Sequence, residues 1–117
     1  MSTKLKSYHL DKLIAFVGDD PDAIKNMVGI FLHTTPELLE TINESYKQKQ
    51  PEQMAKAAHS LKPTLDVFGV DSVYDVIRKI EQKAKNATLD DELAGLINTL
   101  NGVLETVFEQ LKKAFVN

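Results

Sequence analysis

His59 and Lys62 are the residues of this 117-residue chain whose types and spacing best suit chemistry. They lie in His59-Ser60-Leu61-Lys62-Pro63-Thr64-Leu65-Asp66-Val67-Phe68-Gly69, where apolar positions recur at helical spacing. Residues three and four apart share a helix face, so Ala55 sits one turn before the imidazole and Lys62 and Pro63 one turn after it. The apolar stripe passes through Ala58 and Leu61, which leaves His59 on its polar flank. A neutral imidazole is a good nucleophile near neutral pH. A phosphoryl group on that ring would bring negative charge and acceptor oxygens. Lys62 offers it a mobile point cation, and Ser60 and Thr64 offer hydroxyl donors. Small Ala55 leaves room above the ring. A helix would hold the nucleophile still for in-line attack.

The elements that must position this pair read as helices throughout. No alternating pattern is long enough for a strand. A short first helix is predicted from Leu10 to Val17, ended by Gly18. Asp20-Pro21 reads as the cap and first residue of a second helix, whose stripe runs from Ile24 through Val28 and Phe31 to Ile42. Pro36 falls inside it, and the expectation is one long helix kinked there. Gln50-Pro51 starts the third helix, with Met54, Ala58, Leu61, Leu65 and Phe68 facing inward. Gly69 stops it, and Asp71 is the expected cap of the fourth, which presents Val73, Val76, Ile77, Ile80 and Ala84. Asn86-Ala87 reads as a loop. Thr88-Leu89-Asp90-Asp91 resembles a capping box before the last helix, whose stripe runs from Leu93 to Phe115. Short loops between long amphipathic helices favour antiparallel neighbours. The expected fold is all-α: an antiparallel up-down four-helix bundle with a short extra N-terminal helix. Residues 1–117 form a single domain in this reading, with 1–7 as a flexible tail.

Composition removes several function classes. The chain has no cysteine, so it has neither a disulfide framework nor a thiolate metal site. A formal charge of −3 gives no electrostatic reason to expect nucleic acid. No apolar run approaches the roughly 20 residues of a membrane span, and the N-terminus lacks a secretory apolar region, which favours the cytoplasm. No Glu-x-x-His pair appears, so a di-metal carboxylate bundle lacks its ligands. His9 reads as a solvated residue near a helix start. His33 reads as structural, because no cation stands at the equivalent offset. Glu37, Glu40 and Glu44 read as a solvated helix face.

The His59 segment resembles the histidine phosphotransfer (HPt) domains of phosphorelays. Their motif is a histidine, then an apolar residue two later, lysine or arginine three later, often glycine four later and glycine ten later. Here those places hold His59, Leu61, Lys62, Pro63 and Gly69. Upstream, Phe31-Leu32-His33-Thr34-Thr35-Pro36-Glu37-Leu38-Leu39 is similar to the family's second-helix pattern. The resemblance implies that His59 accepts a phosphoryl group at Nε2 from an aspartyl phosphate of a receiver domain and passes it to another receiver aspartate. Lys62 would stabilise the phosphorylated ring. It implies response-regulator receivers as partners, with a hybrid sensor histidine kinase as a further candidate. It implies no cofactor on this chain, with Mg²⁺ on the receiver, and a monomeric carrier without ATP-binding machinery. The Met1 start and the closed C-terminal helix lean towards a free-standing carrier.

Pro63 departs from the family pattern. It removes the donor for the His59 carbonyl and disfavours helical dihedrals at Lys62, so a bend beside His59 is expected. The docking face should surround His59, with the Leu38–Ile42 region abreast of it. Two rival readings remain. The dimerisation and phosphoacceptor domain of sensor kinases has a similar histidine box, but an acid usually follows its histidine and its proline comes one place later. A helical adaptor without phosphoryl chemistry is the other.

Overall fold

The computed structural model describes residues 6–116. Its elements are α1 (Asp11–Val17), α2 (Pro21–Lys47), α3 (Pro51–Val67), a single 3-10 turn (Asp71–Val73), α4 (Tyr74–Lys85) and α5 (Asp91–Phe115). No strand occurs among the described residues. Each of α2 to α5 packs on its neighbour in the chain, and α5 returns against α2, closing a ring of four. Short connections make successive helices antiparallel. The short α1 lies against α2. The fold is therefore the bundle with an extra N-terminal helix that the apolar periodicity implies.

Local chemistry explains most of the helix ends. The Asp20 carboxylate accepts from the Asp22 N–H at 3.0 Å, and Pro21 follows at the first helical position, where a missing N–H costs nothing. Pro51 plays the same part in α3. Two expected caps move. The α5 cap is Asp90, which accepts from the Leu93 N–H at 2.9 Å, two residues beyond Thr88. Asp71 makes no side-chain cap. The 3-10 turn intervenes, α4 begins at Tyr74, and the Asp71 carboxylate instead lies 2.8 Å from His9 Nε2. The turns after α2 and α4 use left-handed Lys49 (φ 55°) and Ala87 (φ 53°) in place of glycine.

Both internal prolines stay inside continuous helices. α2 runs unbroken through Pro36. α3 runs unbroken through Lys62 and Pro63, so the expected departure of Lys62 from helical geometry does not occur. A proline in a helix interior costs about 3 kcal/mol, and tertiary packing can override such a local preference. Leu61 and Leu65, on either side of Pro63, are buried and hold the helix to the core.

The core joins all four long helices. Phe31 of α2 stacks on Phe68 at 4.3 Å between ring centroids and meets Phe108 of α5 edge-on at 5.9 Å. Met54, Ile77, Ile80, Leu100 and Leu104 are fully enclosed. Each large apolar side chain so enclosed contributes roughly 1.5–3 kcal/mol. Asn43 of α2 and Asn101 of α5 exchange reciprocal amide hydrogen bonds of 2.9 Å across one seam.

The segment before α1 closes one end. Residues 1–5 of the tail expected over 1–7 lie outside the described residues. Within the described part, the Ser7 N–H donates to Gln110 Oε1 at 2.8 Å, and Tyr8 is buried. The His9 N–H donates to the Phe68 carbonyl at 3.2 Å. Its ring lies over Gly69, where an added Cβ would come within 2.4 Å of the His9 carbonyl oxygen. His9 is thus a strap residue whose side chain stays partly solvated, 42 % exposed. Gly69 is required twice, by this close approach and by its φ of +63°.

Candidate functional site

His59 lies on the flank of α3 that faces α4, with its side chain 70 % exposed. Its Nδ1 is 2.9 Å from Oε2 of Glu81, a carboxylate whose side chain is only 6 % exposed. Two cations converge on the same group. Lys62 Nζ lies 2.6 Å from Oε1, and Lys85 Nζ lies 3.2 Å from Oε2. His59 and Lys62 are brought together as the sequence spacing implies, but through Glu81, which the sequence reading missed.

Burial alone would push the Glu81 carboxyl up. Hydrogen bonds from Lys62, His59 and Lys85, with the Lys62 charge, outweigh that cost and hold it at about 2, below its ordinary 4.5. Glu81 is therefore ionised at neutral pH. An ionised carboxylate only accepts hydrogen bonds, so the proton of the neutral ring sits on Nδ1. Nε2 is left with its lone pair on the open side of an exposed ring. Two lysines against one carboxylate also leave a surplus positive charge beside the ring, which suits an incoming anion.

The helix phases explain this convergence. On α4, Glu81 follows Ile80 and precedes Ala84 by three, so it shares the inward side of the helix with Ile77 and faces α3. On α3, Ala55, His59, Lys62 and Asp66 form one flank at steps of four and three. Asp66 continues the seam: its carboxylate accepts from Arg78 of α4 at 2.9 Å, and that guanidinium lies 3.5 Å from the Tyr74 ring centre. Ion pairs therefore join α3 to α4 at Lys62–Glu81 and Asp66–Arg78, one and two turns beyond the ring along α3.

Of the remaining expected site residues, only Ala55 shares the His59 flank. Ala55 is half-buried one turn above His59. Ser60 lies on the flank facing α2, in a shallow depression with Leu38, Thr41 and Ala57. The Leu38 region thus meets the Ser60 flank, and the direct neighbour of His59 is α4. Thr64 and Pro63 line an apolar groove between α1, α2 and α3. Gly69 lies ten residues from His59, about 15 Å along the helix axis, and serves the His9 strap. His33 is exposed, with Nε2 3.6 Å from Glu37. Among the described residues no group of three or more His, Cys, Asp or Glu side chains could hold a metal ion. No helix there is long and apolar enough to cross a membrane.

A family model described as Hpt domain matches residues 26–114, more than half of the chain and inclusive of α3, α4 and most of α2 and α5. No curated protein and no solved structure matches it.

Proposed function

The chain belongs to the Hpt domain family, a family of histidine phosphotransfer in phosphorelays, and on that premise we propose that His59 is the phosphoacceptor of a carrier between receiver domains. The observation that carries this reading is the exposed imidazole whose Nδ1 is occupied by buried Glu81 at 2.9 Å. That contact directs the nucleophilic lone pair outward at Nε2.

The transfer balances simply. The Nε2 lone pair attacks the phosphorus of a receiver aspartyl phosphate. The N–P bond forms as the bond from phosphorus to the aspartate oxygen breaks, and the carboxylate leaves with the electron pair. The ring becomes positive, and its Nδ1 proton stays directed at Glu81. A neighbouring anion offsets that new charge, so Glu81 both orients the ring and stabilises its phosphorylated form. Lys62 and Lys85 stand ready to exchange part of their hold on Glu81 for the phosphoryl oxygens. The reverse sequence hands the group to a second receiver aspartate. Mg²⁺ and the acidic pocket belong to the receiver, and the surplus positive charge of Lys62 and Lys85 beside the ring is complementary to such a pocket. This is a stoichiometric carrier of the cytoplasm and not a kinase.

The test is incubation with phosphorylated receivers of the source organism, followed by detection of acid-labile label on the chain. Wild type should take up label and His59→Gln should take up none. Absence of His59-dependent label with every receiver would favour the adaptor reading.

A further inference from the structure

Glu81 holds its three partners unequally. Among the described residues, its Oε1 pairs with Lys62 alone, at 2.6 Å. Its Oε2 carries two partners, His59 Nδ1 at 2.9 Å and Lys85 Nζ at 3.2 Å. The Lys62 side chain is 25 % exposed and that of Lys85 63 %. Against the burial that would raise the Glu81 carboxyl, Lys62 does more than Lys85 to hold it low. The two cations therefore differ in what their departure would cost. Without Lys62, one oxygen of a nearly enclosed carboxylate would lose its partner, a heavy penalty at a buried charge. Without Lys85, Oε2 keeps the His59 N–H.

Resting on the phosphotransfer reading of His59, we propose that Lys85 is the cation that moves to the phosphoryl oxygens, while Lys62 stays on Glu81 as a positioning residue. Phosphorylation itself makes the exchange possible. The Nε2 lone pair forms the N–P bond as the bond from phosphorus to the aspartate oxygen breaks, and the carboxylate takes the electron pair. No proton moves, so the ring becomes a cation whose Nδ1–H still points at Oε2. The ring then supplies at Oε2 the positive charge that Lys85 supplied before. Glu81 keeps two cationic partners in both states: Lys62 and Lys85 before transfer, Lys62 and the ring after it. Lys85 shares its carboxylate oxygen with the ring, and its flexible four-carbon stem lets the ammonium swing towards Nε2. The lysine nearer His59 in sequence thus serves the carboxylate, and the lysine on α4 serves the phosphoryl group.

The experiment measures the equilibrium constant for phosphoryl exchange between a phosphorylated receiver and wild type, Lys85→Met, Lys85→Arg and Lys62→Met. Thermal melting and nitrogen NMR of the His59 ring run alongside. An equilibrium between separated proteins is blind to docking, so it reports the phosphorylated ring itself. Lys85→Met should melt close to wild type and keep the ring proton on Nδ1. Its equilibrium should nevertheless shift about fivefold towards the receiver, the upper range for an exposed ion pair. Lys85→Arg should retain the wild-type equilibrium. Lys62→Met should melt lower and spread the ring proton over both nitrogens. A wild-type equilibrium in Lys85→Met, or one shifted towards His59, would overturn the proposal, because a lysine that only braced Glu81 leaves the phosphorylated ring no worse off. So would wild-type melting and tautomer in Lys62→Met. If Lys62→Met does not fold, the two Lys85 variants decide alone. Failure of the phosphotransfer reading shows differently, as no His59-dependent label in wild type itself.

Discussion

A carboxylate at position 81 is costly to bury, and it stays charged because His59, Lys62 and Lys85 converge on it. Its folded pKa of about 2 lies below the ordinary glutamate value of 4.5. The stability it contributes is therefore complete above that ordinary value and disappears as pH falls through about 2. The size is on the order of 3 kcal/mol. Denaturant melts of wild type and Glu81→Gln, from about pH 6 down to about pH 2, should show a less stable variant whose deficit closes with acid. A deficit that stays constant would assign the cost to packing. The His59 and Lys62 pair was legible from spacing alone, since both lie on one helix and its phase follows from Leu61 and Leu65. Glu81 was not, because its contact spans 22 residues and two helices. One signal was available: a glutamate one turn after Ile77 intrudes on the apolar side of α4, and a charge there needs partners.

Elements were legible wherever an apolar stripe ran long, as in α2, α3 and α5. Their ends were less so where side chains had a choice of partner. Asp71 had the composition of a cap, but His9, 62 residues away in sequence, took its carboxylate. Thr88 gave way to Asp90, whose position is reinforced by Lys83 at 3.0 Å. Pro63 carries a local cost, yet the helical assignment of α3 continues through it, with Leu61 and Leu65 buried on either side. At the α3 terminus, Gly69→Ala should cost about 2 kcal/mol or more, because a left-handed residue with a Cβ is strained and that Cβ has no room under His9. Thermal melting would measure the loss. Hydrogen exchange at the His9 amide, which donates to Phe68, should accelerate in step. Unchanged protection there would mean that the strap adapts to the added methyl.

At the scale of the molecule, the ring α2–α3–α4–α5 closes within one chain. Each helix already has both neighbours, so a second chain is not needed to complete the core as it is in a kinase dimerisation hairpin. Light scattering at micromolar concentration should return the mass of one chain, 13.1 kDa; twice that value would revive the dimeric rival. Apolar stripes alone do not say which way round the four helices are arranged. A bundle turning left and its counterpart turning right can bury nearly the same leucines and isoleucines. The Asn43–Asn101 amide pair breaks that degeneracy. In the arrangement observed, the flank of α2 bearing Asn43 looks at α5. In the opposite one it would look at α3, and both amides would lose their partners in a half-buried seam. This amide pair, like the Lys62–Glu81 and Asp66–Arg78 ion pairs, is specific to the arrangement observed and favours it. That choice also determines on which side of α3 the α4 helix, and with it Glu81, arrives.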